Sequence, residues 1–253
     1  MRIAEILPGA PISDDLAGRE AAGICCDSRL AKPGDVFFAV PGTKSDGLAF
    51  APQAARQGVA AIVAESRPMA TIDGAPVIVV ENVRAALAEA SARMFPRQPQ
   101  TIAAITGTSG KTSVAAFTRQ LWAAQGFAAA SLGTLGVNAP TGAVYGALTT
   151  PDPISLHKTL DDLARGGVTH LALEASSHGI VQRRLDAVRL SAGAFTNLSR
   201  DHLDYHATMA DYLSAKLELF ERLLEPGQSA VVDADSDVAE TVMAACAARG
   251  LKI

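Results

Sequence analysis

The chain has 253 residues, 49% hydrophobic, 19% charged and 5% aromatic, enough apolar side chain to offset the entropy of ordering and to exclude a disordered or fibrous polymer. At about 150 residues per domain this length fits between one and two domains. Its 22 basic and 26 acidic residues give a formal charge of −4, without the basic surplus of a nucleic-acid binder, and no apolar run nears the roughly 18 residues of a membrane span.

The opening MRIAEILPGAPISDD lacks the basic and continuous apolar regions of a signal peptide, so a cytoplasmic protein without membrane insertion or a nucleic-acid partner is expected. Cys25, Cys26 and Cys246 provide neither a disulfide framework nor zinc-ligand spacing and are expected as reduced thiols.

Strand-like runs at 36–40, 59–64 and 77–80 accompany a helix over 49–57, which Gly58 should close. Asn82 offers an N-cap to a helix in which Val83, Ala86, Leu87, Ala90 and Met94 repeat at helical spacing. Pro96 disfavours helical backbone at Phe95, and 96–100 (PRQPQ) reads as a linker between a domain over 1–97 and a second over 98–253.

The second part alternates strand 101–106, helix 112–125, strands 168–175 and 192–196, helix 209–224, strand 230–233 and helix 238–249. Strands separated by helices predict an α/β fold with a mainly parallel sheet. The final GLKI reads as the start of another strand, so this domain is expected to stop before its sheet is finished.

Residues 101–112, TIAAITGTSGKT, place a glycine-rich loop between an apolar strand and a helix. Gly107 and Gly110 let backbone N–H groups approach phosphate oxygens, Lys111 supplies a mobile cation, and the Thr112 hydroxyl can ligate magnesium. Two residues, Thr108 and Ser109, separate the glycines where the usual phosphate loop has four. The strict motif therefore fails, but the flanking strand and helix keep the nucleotide reading.

This short GTSGKT loop resembles the ATP site of the Mur ligase superfamily, which also includes the folylpolyglutamate synthases. Within it, CDSRLAKPGDVFFAVPGTKSDG at 26–47, LTTPDP at 148–153, LEASSHGIVQRRL at 173–185 and FTNLSRDHLDYHATMADYLSAKLELF at 195–220 resemble the MurE type, over roughly residues 24–235. The resemblance implies an N-terminal α/β domain for the uridine nucleotide, then an incomplete phosphate-loop domain. It also implies a C-terminal amino-acid-binding domain that this chain does not include.

By that resemblance, Gly107, Thr108, Ser109, Gly110, Lys111 and Thr112 bind ATP, and Thr112, Glu174, His202 and Lys216 as a carbamate hold Mg2+. Thr149, Thr150, Ser176, Gln182 and Arg184 fall where the family meets its muramoyl-dipeptide. Cys26, Ser28, Thr43, Lys44 and Ser45 fall where it holds the uridine end. Lys111 and Lys216 carry the catalytic assignment. Spacing alone would put Lys216 on a solvated helix face, while the family pattern favours Arg184 as the substrate ligand and leaves the adjacent Arg183 as surface charge. Two departures from the family pattern stand out, Ser109 and Leu148, where asparagine is common.

The implied reaction is ATP-dependent amide formation through an acyl phosphate. A carboxylate is a poor electrophile, so positioning and charge neutralisation are the protein's tasks. The substrates would be UDP-N-acetylmuramoyl-L-alanyl-D-glutamate and meso-diaminopimelate or L-lysine, handled by a monomer, and this chain alone is expected to be inactive. Two other readings stay open: a folylpolyglutamate synthase-like ligase, which predicts the ATP loop near the amino terminus, and a non-catalytic nucleotide-binding module.

Overall fold

Continuous apolar runs in the first unit, Met1–Pro96, become strands buried on both faces, as a parallel sheet requires. The computed structural model describes residues 1–42, 46–66, 69–145, 148–201 and 205–253. In chain order this unit contains α1 (Ile3–Ile6), α2 (Asp14–Gly18), β1 (Gly23–Cys25), β2 (Asp35–Phe38), α3 (Ala51–Arg56), β3 (Ala61–Ala64), β4 (Thr71–Ile72), β5 (Ala75–Val79) and α4 (Val83–Met94).

Its sheet runs β1-β2-β3-β5-β4, parallel except for β4 against β5. The expected helix over 49–57 is a 3-10 turn, Gly47–Phe50, continued by α3, and Gly58 follows its C-cap at φ +82°. Asn82 caps α4 by accepting the Ala85 N–H at 2.9 Å, and the helix ends at Phe95 before Pro96.

The second unit, Arg97–Ile253, contains β6 (Thr101–Thr106), α5 (Lys111–Ala124), β7 (Ala129–Gly133), β8 (Gly136–Ala139), β9 (Gly142–Val144), α6 (Pro153–Arg165), β10 (His170–Glu174), α7 (Ser177–Val181), β11 (Ala192–Phe195), α8 (Met209–Glu218), β12 (Ser229–Val232) and α9 (Ala239–Ala248). The strand order is β12-β11-β6-β10-β7-β8-β9, parallel from β12 to β7, with β8 and β9 an antiparallel edge.

Alternation along the central strands builds two faces. Ile102, Ala104, Leu171 and Leu173 join the larger core with Leu156, Leu160 and Leu163 of α6 and Leu219 and Phe220 after α8. Ile105 and Ala172 face the other way and pack with Val114, Ala115 and Trp122 of α5. The chain moves to one side of β6 for β7 and to the other for β11 and β12. Open α/β sheets form ligand crevices at such a reversal, beyond the carboxyl ends of the strands.

Several expectations change. Gln98 does not lie in a free linker: its amide donates to the Ala187 carbonyl at 2.9 Å, and its oxygen accepts the Arg189 N–H at 2.9 Å. The helix expected over 209–224 is α-helical only to Glu218 and continues as a π-helical turn, Leu219–Leu223. Lys252 forms a parallel bridge with Ser229, at the β12 edge of the sheet. Among the described residues no helix is long and apolar enough to cross a membrane. None of the three cysteines forms a disulfide among the described residues, and burial pushes the Cys25 thiol up to about 12.

His157 on α6 is fully buried, with Nε2 on the Asp186 carbonyl at 3.1 Å and Nδ1 without a partner. Burial, with Arg189 nearby, lowers its pKa to about 4. The unfolded chain takes up this proton near the ordinary value of 6.5, whereas the folded chain waits until about 4. Stability is therefore expected to fall as pH drops from 6.5 to 4, by at most about 1.4 kcal/mol per unit from this group. Urea unfolding across that window should show the slope, and His157→Leu should flatten it while lowering stability at pH 7.

Candidate functional site

The phosphate-type loop bridges β6 and α5 with Gly107 at φ +137° and Gly110 at φ +86°. A Cβ on Gly107 would lie 1.9 Å from the Thr196 hydroxyl, so the loop can approach the segment after β11 only as glycine. Gly110 is the N-cap of α5 and has no side chain to satisfy the first-turn N–H groups, leaving them available to an anion.

Two lysines converge on the inner side of this loop. Lys111 Nζ donates to the carbonyls of Gly107 and Thr108, each at 2.9 Å, and Lys216 Nζ donates to the Gly107 carbonyl at 2.8 Å. Lys216 is 1% exposed, and its ammonium lies 4.1 Å from the centre of the Tyr212 ring. Burial, reinforced by Lys111 and opposed by Asp201, pushes the Lys216 amine down to about 7. Burial also lowers Lys111, against the pull of Glu174 and Asp201. The helix-face expectation for Lys216 from spacing fails because α8 turns this position toward the loop.

Glu174 ends β10, 2% exposed, beside the loop. Its carboxylate accepts the Thr112 hydroxyl at 3.0 Å, the Thr134 N–H at 3.0 Å and the Thr134 hydroxyl at 3.2 Å. Gly133 makes room for it, since a Cβ there would lie 2.0 Å from Oε1. The structure thus brings Thr112, Glu174, Lys111 and Lys216 together. His202 lies outside the described residues.

The expected dipeptide contacts also cluster. Thr149 shares a 3.0 Å hydroxyl contact with Thr134. Thr150 is buried, donates to the Glu174 carbonyl at 2.9 Å and accepts the Ser176 N–H at 3.1 Å, while Ser176 caps α7 through the Gly179 N–H. Arg184 donates to the Thr150 carbonyl at 2.6 Å and to the Gln182 side-chain oxygen at 2.7 Å. Gln182 in turn donates to the Tyr205 hydroxyl at 3.3 Å, and the Tyr205 ring lies 3.9 Å from that of His178. Arg183 is not simple surface charge: at φ +55° it ion-pairs with Asp186.

Sequence reading missed the segment after β11. Thr196 donates to the Ser109 carbonyl at 2.7 Å, the Thr108 N–H donates to the Asn197 carbonyl at 2.9 Å, and the Ser199 N–H donates to the Thr108 hydroxyl at 2.9 Å. FTNLSRDH carries these residues, but nothing in their spacing points to a loop some ninety positions away.

In the first unit, Cys26 and Ser28 line a recess with Arg29, Phe37, Phe50 and Gln53 at the carboxyl end of β1 and β2. Ser28 is buried and donates to the Gln53 oxygen at 2.9 Å. Thr43, Lys44 and Ser45 lie outside the described residues.

The model of the Mur ligase middle domain matches residues 105–253, and that of the Mur ligase family, catalytic domain, matches 20–95. The chain is 56% identical over 246 residues to the UDP-N-acetylmuramoyl-L-alanyl-D-glutamate–2,6-diaminopimelate ligase of Bradyrhizobium diazoefficiens, covering 96% of this chain and 50% of that protein. A solved structure of a ligase with the same name superposes with TM-score 0.84 at 30% identity, over 100% of this chain and 51% of the other. A Mycobacterium tuberculosis folylpolyglutamate synthase complexed with ADP and AMPPCP gives TM-score 0.55 at 15% identity over 66% of this chain and 46% of its own, a likeness of fold alone. The chain spans about half the length of the curated relatives it matches.

Proposed function

Because the chain belongs to the Mur ligase family, its middle-domain match covering residues 105–253, we propose that it supplies the uridine-nucleotide-holding and ATP-using parts of an amide ligase. The ligase would join diaminopimelate, the amino acid named for the Bradyrhizobium relative, to UDP-N-acetylmuramoyl-L-alanyl-D-glutamate. The observation that carries this reading is the buried Glu174 carboxylate, 3.0 Å from the Thr112 hydroxyl that opens α5. Glu174 lies at the carboxyl end of the parallel strands, with Thr149 linked to it through the Thr134 hydroxyl and Arg184 through Thr150.

In this reading the first turn of α5 and Lys111 hold the ATP phosphates. Arg184, Gln182 and Thr149 orient the dipeptide so that its free carboxylate oxygen attacks the γ-phosphorus and ADP departs. The amine of the diamino acid then forms the C–N bond as inorganic phosphate leaves the acyl carbon. Lys111, whose ammonium bonds two loop carbonyls, would exchange them for phosphate oxygens.

Magnesium fits the donor chemistry, because the Thr112 hydroxyl and the Glu174 carboxylate are adjacent hard oxygen donors. Among the described residues no group of three or more His, Cys, Asp and Glu could hold a metal, so the set would be completed by phosphate oxygens, His202 and Lys216. Bound there, the ion would neutralise phosphate charge. Lys216 would join as a carbamate formed when its neutral amine adds carbon dioxide and releases a proton, and burial favours that neutral form.

Calorimetric titration of this chain with ATP and Mg2+, and separately with UDP-N-acetylmuramoyl-L-alanyl-D-glutamate, should detect both ligands. Absence of both would sink the reading. With both substrates and diaminopimelate present, no amino-acid-dependent phosphate release is expected from this chain alone, and its detection would refute the expected need for the rest of the family's length.

A further inference from the structure

The Ser109 backbone is held from the segment after β11: its carbonyl takes the Thr196 hydroxyl at 2.7 Å, and both of its polar groups pair with the Asn197 side chain. Its N–H donates to Asn197 Oδ1 at 2.9 Å, and its carbonyl accepts from Asn197 Nδ2 at 3.2 Å. The Asn197 main-chain carbonyl takes the neighbouring Thr108 N–H at 2.9 Å. A planar amide can present an acceptor and a donor side by side, whereas a carboxylate lacks the donor and an aliphatic chain lacks both.

This arrangement divides the loop's amides into two sets. The N–H groups of Thr108 and Ser109 are used internally, although glycine-rich loops commonly direct such groups at phosphate. Those of Lys111, Thr112 and Ser113, the first turn of α5, precede the first intrahelical bond, which runs from the Val114 N–H to the Gly110 carbonyl at 2.9 Å.

We propose that Asn197 is a positioning residue for the nucleotide: by pairing with both backbone groups of Ser109 it fixes the loop so that the first turn of α5, and not the 108–109 amides, meets the phosphates. This rests on the nucleotide reading above. It adds the assignment of a residue whose side chain bonds the loop backbone, and a division of labour among the loop amides.

The test combines titration with amide-resolved NMR on the 253-residue chain, using ADP with Mg2+ and inorganic tripolyphosphate as probes. Asn197→Leu should weaken both probes about tenfold, the loss of roughly one or two hydrogen bonds to the loop. Asn197→Asp, which keeps the acceptor but adds a charge facing the Ser109 carbonyl, should weaken them at least as much while leaving the fold intact.

In the wild-type chain the Thr108 and Ser109 amides should be protected from exchange before ligand is added and should hardly shift with it, whereas those of Lys111 to Ser113 should shift. Protection at Ser109 should vanish in Asn197→Leu, whereas Thr108, whose N–H bonds the main-chain carbonyl at 197, should keep its own. Unchanged affinity in both variants, or large ligand-induced shifts at 108 and 109, would overturn the proposal. If the wild-type chain bound neither probe, the nucleotide reading would fall, and the exchange measurement would still decide whether the Asn197 side chain fixes the loop: retained protection at Ser109 in Asn197→Leu would refute it.

Discussion

Replacing Lys111 by alanine is expected to weaken ATP binding to this chain about ten- to hundredfold, the range for losing one or two charge-assisted hydrogen bonds. The lysine is the mobile cation of the loop, and its ammonium is held by the carbonyls of Gly107 and Thr108. The Gly107 carbonyl keeps a partner when it is removed, since Lys216 also donates to it at 2.8 Å. The loop should therefore keep its shape, and the loss should appear in phosphate affinity while the unfolding midpoint changes little. Calorimetric titration with ATP and with adenosine separates the two: adenosine affinity should not respond. Equal ATP affinity in wild type and Lys111→Ala would remove Lys111 from the site.

What could be read from the sequence follows the range of the interactions involved. The phosphate loop and the α4 cap are local: Gly107, Gly110 and Lys111 lie between a strand and a helix, and Asn82 precedes its helix directly. β6 is likewise bounded by a polar linker and a glycine. The hairpin β8–β9 is built from GVNA and GAV, short glycine-bearing pieces whose pairing is set by β7, and has little periodicity of its own. α6 does carry legible signals, with Asp152 as its N-cap, Pro153 at its start and Leu156, Leu160 and Leu163 on one face.

The site depends on contacts that no local pattern encodes. Asn197 meets Ser109 across 88 positions, and Lys216 meets Gly107 across 109. The Lys216 case is instructive because the apolar stripe of α8 argues for solvation. Only the tertiary placement of the loop carbonyl gives its ammonium a buried acceptor, and only family resemblance pointed there beforehand.

Replacing Gly133 by alanine should disable the magnesium response by displacing a carboxylate that the substitution does not itself remove. An added Cβ would lie 2.0 Å from Glu174 Oε1, 2.3 Å from its Cδ and 2.5 Å from its Cγ, and Glu174 cannot easily yield while Thr112 and Thr134 hold it. Either β7 shifts or the carboxylate is expelled, at a cost of about 1–3 kcal/mol for overpacking. In a unit of this size that lowers the unfolding midpoint by a few degrees, about 2–4 °C per kcal/mol. Glu174→Gln is the companion variant: it keeps the volume and a hydrogen-bonding end but removes the charge. It should melt close to wild type while ATP binding loses its strengthening by Mg2+. Gly133→Ala should show both the lower midpoint and the lost magnesium response. If both variants kept the magnesium response of the wild type, the ion would act elsewhere, and the pairing of Thr112 with Glu174 would be a structural hydrogen bond alone.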